Sequence, residues 1–202
     1  MTGDGTEPTR TVGVVLAAGA GTRMGRPKAL VADPQGRSWV RLAVTALLDG
    51  GCSDVVVVLG AAAREARLAL PDDARVRSVV ACDWERGLSA SLLAGLDAVA
   101  ADPEVEAALV TLVDLPRLPA AAVRRVLGGA AGRTTALAQA VYADRPGHPV
   151  LLGRAHWPGL MGELAGDHGA GAFLRRAGAT RIDCGDLWDG RDQDRLAGGG
   201  GS

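Results

Sequence analysis

Three features of the chain predict an α/β fold: a three-layer, mostly parallel, Rossmann-like sheet with helices on both faces. Short apolar runs recur at residues 12–17, 54–60, 76–81 and 107–113, and such continuous runs suit strands covered on both sides. Stretches with apolar residues at helical spacing separate them. Strand and helix thus alternate at least four times, and parallel strands joined through helices imply right-handed crossovers.

Each element has its own signal. V-G-V-V-L-A at 12–17 runs into the turn Ala18-Gly19-Ala20-Gly21. Trp39, Leu42, Ala43, Ala46 and Leu47 fall at helical spacing, and Gly50-Gly51 would end that helix. Asp54-Val55-Val56-Val57-Val58-Leu59-Gly60 is β-branched and bounded by turn residues, the clearest strand of the chain. Residues 61–70 read as a helix stopped by Pro71, and 76–81 as a weaker strand. Residues 89–101 place Leu92, Leu93, Leu96 and Val99 on neighbouring turns, with Ser89 as the expected N-cap. The run at 107–113 leads straight into Asp114, and the helix expected at 119–127 opens with a proline that a first turn tolerates. Residues 134–152 are expected to form an insertion or an antiparallel edge.

The domain organisation expected is a polar, disordered lead-in at 1–11, a single domain at 12–197, and a flexible tail at 198–202. A chain of 202 residues with 48% hydrophobic and 22% charged residues can bury a core and is not composed like a disordered one. Lys plus Arg total 22 against 23 Asp plus Glu, so the basic excess of a duplex nucleic-acid binder is missing. No run reaches the ~20 apolar residues of a membrane span, and residues 1–11 lack the apolar core of a signal peptide. The expectation is a cytoplasmic protein with neither nucleic acid nor membrane as partner. Cys52, Cys82 and Cys184 are odd in number and far apart, which favours small apolar fillers over disulfides or a zinc knuckle. Trp39, Trp84, Trp157 and Trp188 read as packing residues rather than base-stacking platforms.

In open α/β sheets ligands bind beyond the carboxyl ends of the strands. There the chain carries Leu16, Ala17, Ala18, Gly19, Ala20, Gly21, Thr22 and Arg23, continuing to Lys28. Gly19, Gly21 and Gly25 are spaced G-x-G-x-x-x-G, which misses the dinucleotide fingerprint by one residue, and Lys28 stands too far from Gly25 for a Walker loop. What remains is a glycine-rich turn whose amides can approach phosphate oxygens, flanked by the guanidinium fork of Arg23 and the point charge of Lys28. An ordinary strand-to-helix turn with surface cations is the alternative. Asp114 at the end of a buried strand needs a positive partner, such as Mg²⁺ on triphosphate oxygens, unless it caps a helix. Ser91 and Gly95 stand one helical turn apart, and either a ligand or close packing of helix on sheet would explain the glycine. His148 lies in a turn, where it either contacts a substrate or steadies the turn; Asp167 and His168 leave the same choice open.

The string L-A-A-G-x-G-x-R-M-G-x-P-K at 16–28 resembles the signature of the nucleotidyltransferases of molybdenum cofactor biosynthesis, the guanylyl- and cytidylyltransferases that act on molybdopterin. Later segments match in order: G-x-x-x-S-x-x-x-G at 87–95, D-x-P at Asp114-Leu115-Pro116, P-G-H-P at 146–149, and G-D-H-G-A at 166–170. The resemblance spans most of the chain and implies a nucleotide-diphospho-sugar-transferase-like fold. It implies transfer of a nucleoside monophosphate, first of all CMP from CTP, to molybdopterin or another phosphorylated acceptor, with pyrophosphate released and a molybdoenzyme as a further partner.

Under it, Arg23, Lys28 and Asp114 are catalytic, the loop with Ser91 and Gly95 holds the nucleotide, and Gly147, His148 and Asp167 meet the acceptor. Mg²⁺ would sit on Asp114, with Asp189 or else Asp186 as second ligand. The chain departs from the family at its closing D-x-D-T-P-x-D: Asp186 and Asp192 are kept, whereas Trp188 stands for the middle acid and Gly190 for the proline. GTP with molybdopterin, a sugar-phosphate acceptor, and a non-catalytic nucleotide- or cofactor-delivery protein are the rival readings. A dinucleotide oxidoreductase is disfavoured by the glycine spacing.

Overall fold

The computed structural model describes residues 10–130 and 132–193; the tail and nearly all of the lead-in expected from the sequence lie outside the described residues. Seven strands form one sheet: β1 (Thr11–Ala17), β2 (Asp54–Leu59), β3 (Val76–Val80), β4 (Ala107–Leu112), β5 (Leu137–Tyr142), β6 (Arg145–Gly153) and β7 (Thr180–Asp183). Their order across the sheet is β3-β2-β1-β4-β6-β5-β7. β6 alone runs antiparallel to its neighbours, pairing so with β4 and β5. β1–β4 are joined in parallel, as is β7 to β5. The helices are α1 (Trp39–Asp49), α2 (Ala63–Leu68), α3 (Leu88–Ala100), α4 (Ala120–Gly128), α5 (Trp157–Glu163) and α6 (Gly171–Arg176).

Two cores follow from the period-two alternation of the central strands. Val15 and Ala17 of β1, with Val55, Val57 and Leu59 of β2, pack under α1 and α4. Val12, Val14 and Leu16, with Val56 and Val58, pack under α3, α5 and α6 on the opposite face. Each fully buried Val or Leu contributes roughly 1.5–3 kcal/mol relative to exposure, so the uninterrupted runs at β1 and β2 are required by helices on both sides.

Three local expectations are corrected. Ser89 is not the N-cap of α3: Gly87, at φ 104°, holds that position, while the Ser89 hydroxyl donates to the Gly166 carbonyl at 2.6 Å and ties α3 to the segment before α6. Pro119 lies one residue outside α4, as its N-cap. The 134–152 region is no edge; its β6 sits between β4 and β5, and β3 and β7 are the outer strands. Cys52 and Cys184 are buried as expected, whereas Cys82 is exposed. No helix among the described residues is long and apolar enough to cross a membrane.

Candidate nucleotide site

The loop after β1 opens at the carboxyl end of the sheet, where β1 and β4 finish together: the Val113 amide donates to the Leu16 carbonyl at 3.1 Å. The loop folds back on itself at Gly21 (φ 62°), where an added Cβ would stand 2.0 Å from the Arg26 carbonyl oxygen. Only glycine takes this left-handed, crowded position without strain. At Gly19, by contrast, an added Cβ would meet nothing within 4 Å, leaving the backbone open to an incoming group.

Leu16, Ala18, Gly19, Ala20, Gly21 and Thr22 line a cleft of about 360 Å³ together with Trp84, Glu85, Gly87, Leu88, Ser91 and Asp167. Ala17 is buried at the strand end and does not line it. The backbone of Arg23 forms part of a 3-10 turn, Thr22–Met24, and its side chain lies outside the described residues. Across the loop, Lys28 Nζ lies 2.6 Å from Asp114 Oδ2, with the two side chains 22% and 14% exposed. The other carboxylate oxygen, Oδ1, is buried and has no hydrogen-bond partner among the described residues.

That orphaned oxygen is the test of whether the site suits a metal. A buried carboxylate oxygen without a partner is costly unless a cation approaches it. One carboxylate beside a loop whose amides are open to phosphate is the donor set magnesium takes when phosphates and water complete its shell. The residues therefore fit a divalent cation at Asp114. Among the described residues no group of three His, Cys, Asp or Glu side chains stands together as a complete metal site.

The remaining sequence candidates divide. Ser91 reaches the cleft, but Gly95 does not: a Cβ there would meet Val14 Cγ1 at 2.8 Å and Val58 Cγ2 at 3.1 Å, so this glycine lets α3 lie close on β1 and β2. The residues expected at the acceptor are split. Asp167 lines the cleft beside the glycine loop, next to Gly87. His148 lines an adjoining pocket that shares Leu16 and Leu88 with the cleft. Gly147 lies against the Tyr142 ring, 2.9 Å from where a Cβ would be.

Asp189 is exposed and lines a shallow hollow with Tyr142, Arg145 and Pro146, its carboxylate accepting from the Arg191 amide at 3.1 Å. The same segment returns to the site, since the Gln193 amide donates to the Asp114 carbonyl at 3.0 Å. Asp186 is held elsewhere, bound by both guanidinium nitrogens of Arg125, which keeps its carboxyl below the ordinary range.

Sequence reasoning missed Trp84 and Glu85 as cleft residues. A Cβ at Gly60 would touch both Trp84 Cγ and the Ala18 carbonyl at 2.6 Å, so the ring is pressed onto the loop by a glycine at the end of β2. No local pattern signals that contact. Trp188, in place of the family's middle acid, packs edge-on against Tyr142 at 5.3 Å between ring centroids. The Tyr142 hydroxyl in turn donates to the His148 carbonyl at 2.7 Å, so the altered segment buttresses the first half of β6, and His148 lies in that strand and not in the turn expected from the sequence.

Comparison with known proteins agrees with this geometry. Residues 13–181 match the family model described as the MobA-like NTP transferase domain. The chain is 39% identical over 194 residues to a nicotine blue oxidoreductase of Paenarthrobacter nicotinovorans, covering 91% of this chain and 92% of that one. Among solved structures, Rv0371c of Mycobacterium tuberculosis superposes with a TM-score of 0.77 at 28% identity, covering 94% and 95% of the two chains, and its manganese complex with 0.67 at 25%, covering 87% of each. A nucleotidyl transferase of Methanothermobacter thermautotroptrophicus superposes with 0.71 at 25%, covering 87% and 88%.

Proposed function

Because the chain belongs to the MobA-like NTP transferase domain family, we propose that it transfers a nucleoside monophosphate, CMP from CTP, to a phosphorylated acceptor of the molybdopterin kind and releases pyrophosphate. The observation that carries the reading is the pairing of Lys28 with Asp114 across the mouth of the glycine loop, with one Asp114 oxygen left unsatisfied. The preference for CTP rests on the Ala17-Ala18-Gly19 start and the P-G-H-P segment, which resemble the cytidylyl branch. The setting we propose is the cytoplasm, with a molybdoenzyme receiving the product.

The loop amides around Gly19 and Gly21 orient the triphosphate, and Lys28 with Arg23 offsets its charge as the acceptor phosphate attacks the α-phosphorus in line. The bond to the β,γ-pyrophosphate breaks as the new P–O bond forms, and no side chain becomes covalently modified. Asp114 would hold Mg²⁺, while Asp189, expected as second ligand, stands in a separate hollow with Tyr142 and Arg145; when bound, the ion supplies charge neutralisation on the phosphate oxygens. Ser91 and Trp84, which line the cleft, would border the base and ribose.

Pyrophosphate release with molybdopterin and each of the four NTPs tests this. CTP should turn over fastest. Faster turnover with GTP overturns the branch, a sugar phosphate as better acceptor overturns the acceptor, and nucleotide binding without turnover favours a delivery protein. The oxidoreductase name of the 39% identical relative carries a second reading: the same anion-binding loop would grip the pyrophosphate of a nicotinamide dinucleotide, although the glycine spacing is not the usual one. Oxidation of NADH or NADPH by the protein with an oxidised organic dye, and no pyrophosphate release from any NTP, would establish it instead.

A further inference from the structure

Among the described residues three large hydrophobic side chains are exposed: Leu68 at 86%, Val80 at 45% and Leu93 at 36%. They fall in two places. Leu68 ends α2, whose Ala66 is buried in the core under α1 and α4. Two residues further on, at about 100° per residue, Leu68 stands on the outward side of the helix. Arg64, one turn back, shares that side, and Glu65 and Arg67 flank it; all three are exposed. Neither arginine is ion-paired among the described residues.

Val80 and Leu93 line a single groove of about 330 Å³ between the end of β3, α3 and residues 164–166. Ala90, Ala94 and Leu164 extend its apolar wall, and its charged residues are Asp83, Arg86 and Asp97. Asp83 and Arg86 form an exposed pair at 3.4 Å, and the Asp97 carboxylate has no partner among the described residues. A small molecule would find no buried polar group to orient it, because the Ser89 hydroxyl is spent on the Gly166 carbonyl. The leucine and the groove are complementary charge for charge: two arginines and a glutamate surround the one, two aspartates and an arginine the other.

We propose that Leu68 of one copy of this chain seats between Val80 and Leu93 in the groove of a second copy, so that the protein associates with itself head to tail. Ala66 packs on one face of the sheet and α3 on the other, so a molecule cannot fill its own groove. The contact joins unlike surfaces and leaves a free leucine at one end and a free groove at the other. Removing Leu68 from water drives it, and the charge pairs set its register while adding little affinity. One side chain in one groove is a small contact, with a dissociation constant on the order of 10–100 µM. The contact also reaches the cleft: Cys82, Asp83 and Arg86 line the groove, while Trp84 and Glu85, between them in sequence, line the cleft beside the glycine loop. The inference stands whether or not the transferase reading does.

Sedimentation equilibrium of the full chain from about 10 to 500 µM tests it, under reductant so that the exposed Cys82 forms no disulfide between copies. The parent should pass from monomer to dimer and larger species. Leu68→Glu removes the leucine and keeps the groove; Asp97→Arg spoils the groove and keeps the leucine. Each alone should weaken association at least about tenfold, with the melting temperature as in the parent, because both residues are exposed. Mixed in equal amounts, the two variants should form dimers at near the parent's affinity and nothing larger, since one intact leucine meets one intact groove and no second contact can follow. Were Leu68 instead to pack on Leu68 about a two-fold axis, mixing would restore nothing. A parent still monomeric at about 500 µM, either variant associating like the parent, or a mixture that stays monomeric would each overturn the proposal.

Discussion

The two carboxylate oxygens of Asp114 live in different surroundings, one 2.6 Å from Lys28 and the other buried without a partner among the described residues. Asp114→Asn keeps the shape and removes the charge that the proposed cation needs. Pyrophosphate release should fall by at least about 100-fold, the scale of losing a key electrostatic group, while circular dichroism still reports a folded protein. Unchanged kcat would take Asp114 out of the mechanism.

His148 supplies a pH-dependent counterpart. Its pKa in the fold lies below the ordinary 6.5, because burial disfavours the imidazolium. The unfolded chain therefore binds the proton more readily, so this residue's stability contribution is complete above pH 6.5 and is lost as pH falls toward the folded value. Urea denaturation of the parent and His148→Gln at a series of pH values should show a shallower acid slope in the variant. Parallel slopes would mean that His148 does not titrate in this way. Gly190 shows why the closing motif lacks its proline: the residue sits at φ 71°, with the Tyr142 ring 2.4 Å from where a Cβ would be, and proline cannot adopt a positive φ.

Among the elements, α3 carries both structural and candidate functional roles. Its first turn brings Ser91 to the cleft, and its middle lies close on β1 and β2 at Gly95. Gly95→Val forces a branched side chain against Val14 and Val58, and overpacking of this kind costs about 1–3 kcal/mol. Urea denaturation should show that loss as a lower midpoint. A raised KM for the nucleotide with unchanged stability would instead return Gly95 to the binding site. α3 also needs its anchor to the 165–170 segment, through Ser89 and the Gly166 carbonyl, because the cleft draws residues from both.

For the whole molecule, the site is a seam. β1 and its loop meet β4, α3 and the returning segment at one end of the sheet, so a ligand there touches both halves of the chain. Mg·CTP at about 100 times its Kd should stabilise the fold by about 2.7 kcal/mol, which for a domain of this size is a rise of about 5–10 °C in Tm. Chelation of the metal should remove most of that rise. A Tm insensitive to both would count against nucleotide binding at this cleft.

What could be read along the chain was whatever repeats or concentrates locally. The apolar runs of β1, β2 and β4 are buried on both faces by helices, and their near-continuous apolar character follows directly from that burial. The 16–28 loop was legible because a left-handed, crowded backbone tolerates glycine at Gly21 and little else. The nearness of Lys28 to Asp114, 86 residues apart, the division of Asp167 from His148, and the meeting of Gln139 and His148 in one pocket were decided only by tertiary structure. Strand order decides them: inserting β6 between β4 and β5 brings its side chains beside those of β4, and no local spacing encodes which strand lies next to which.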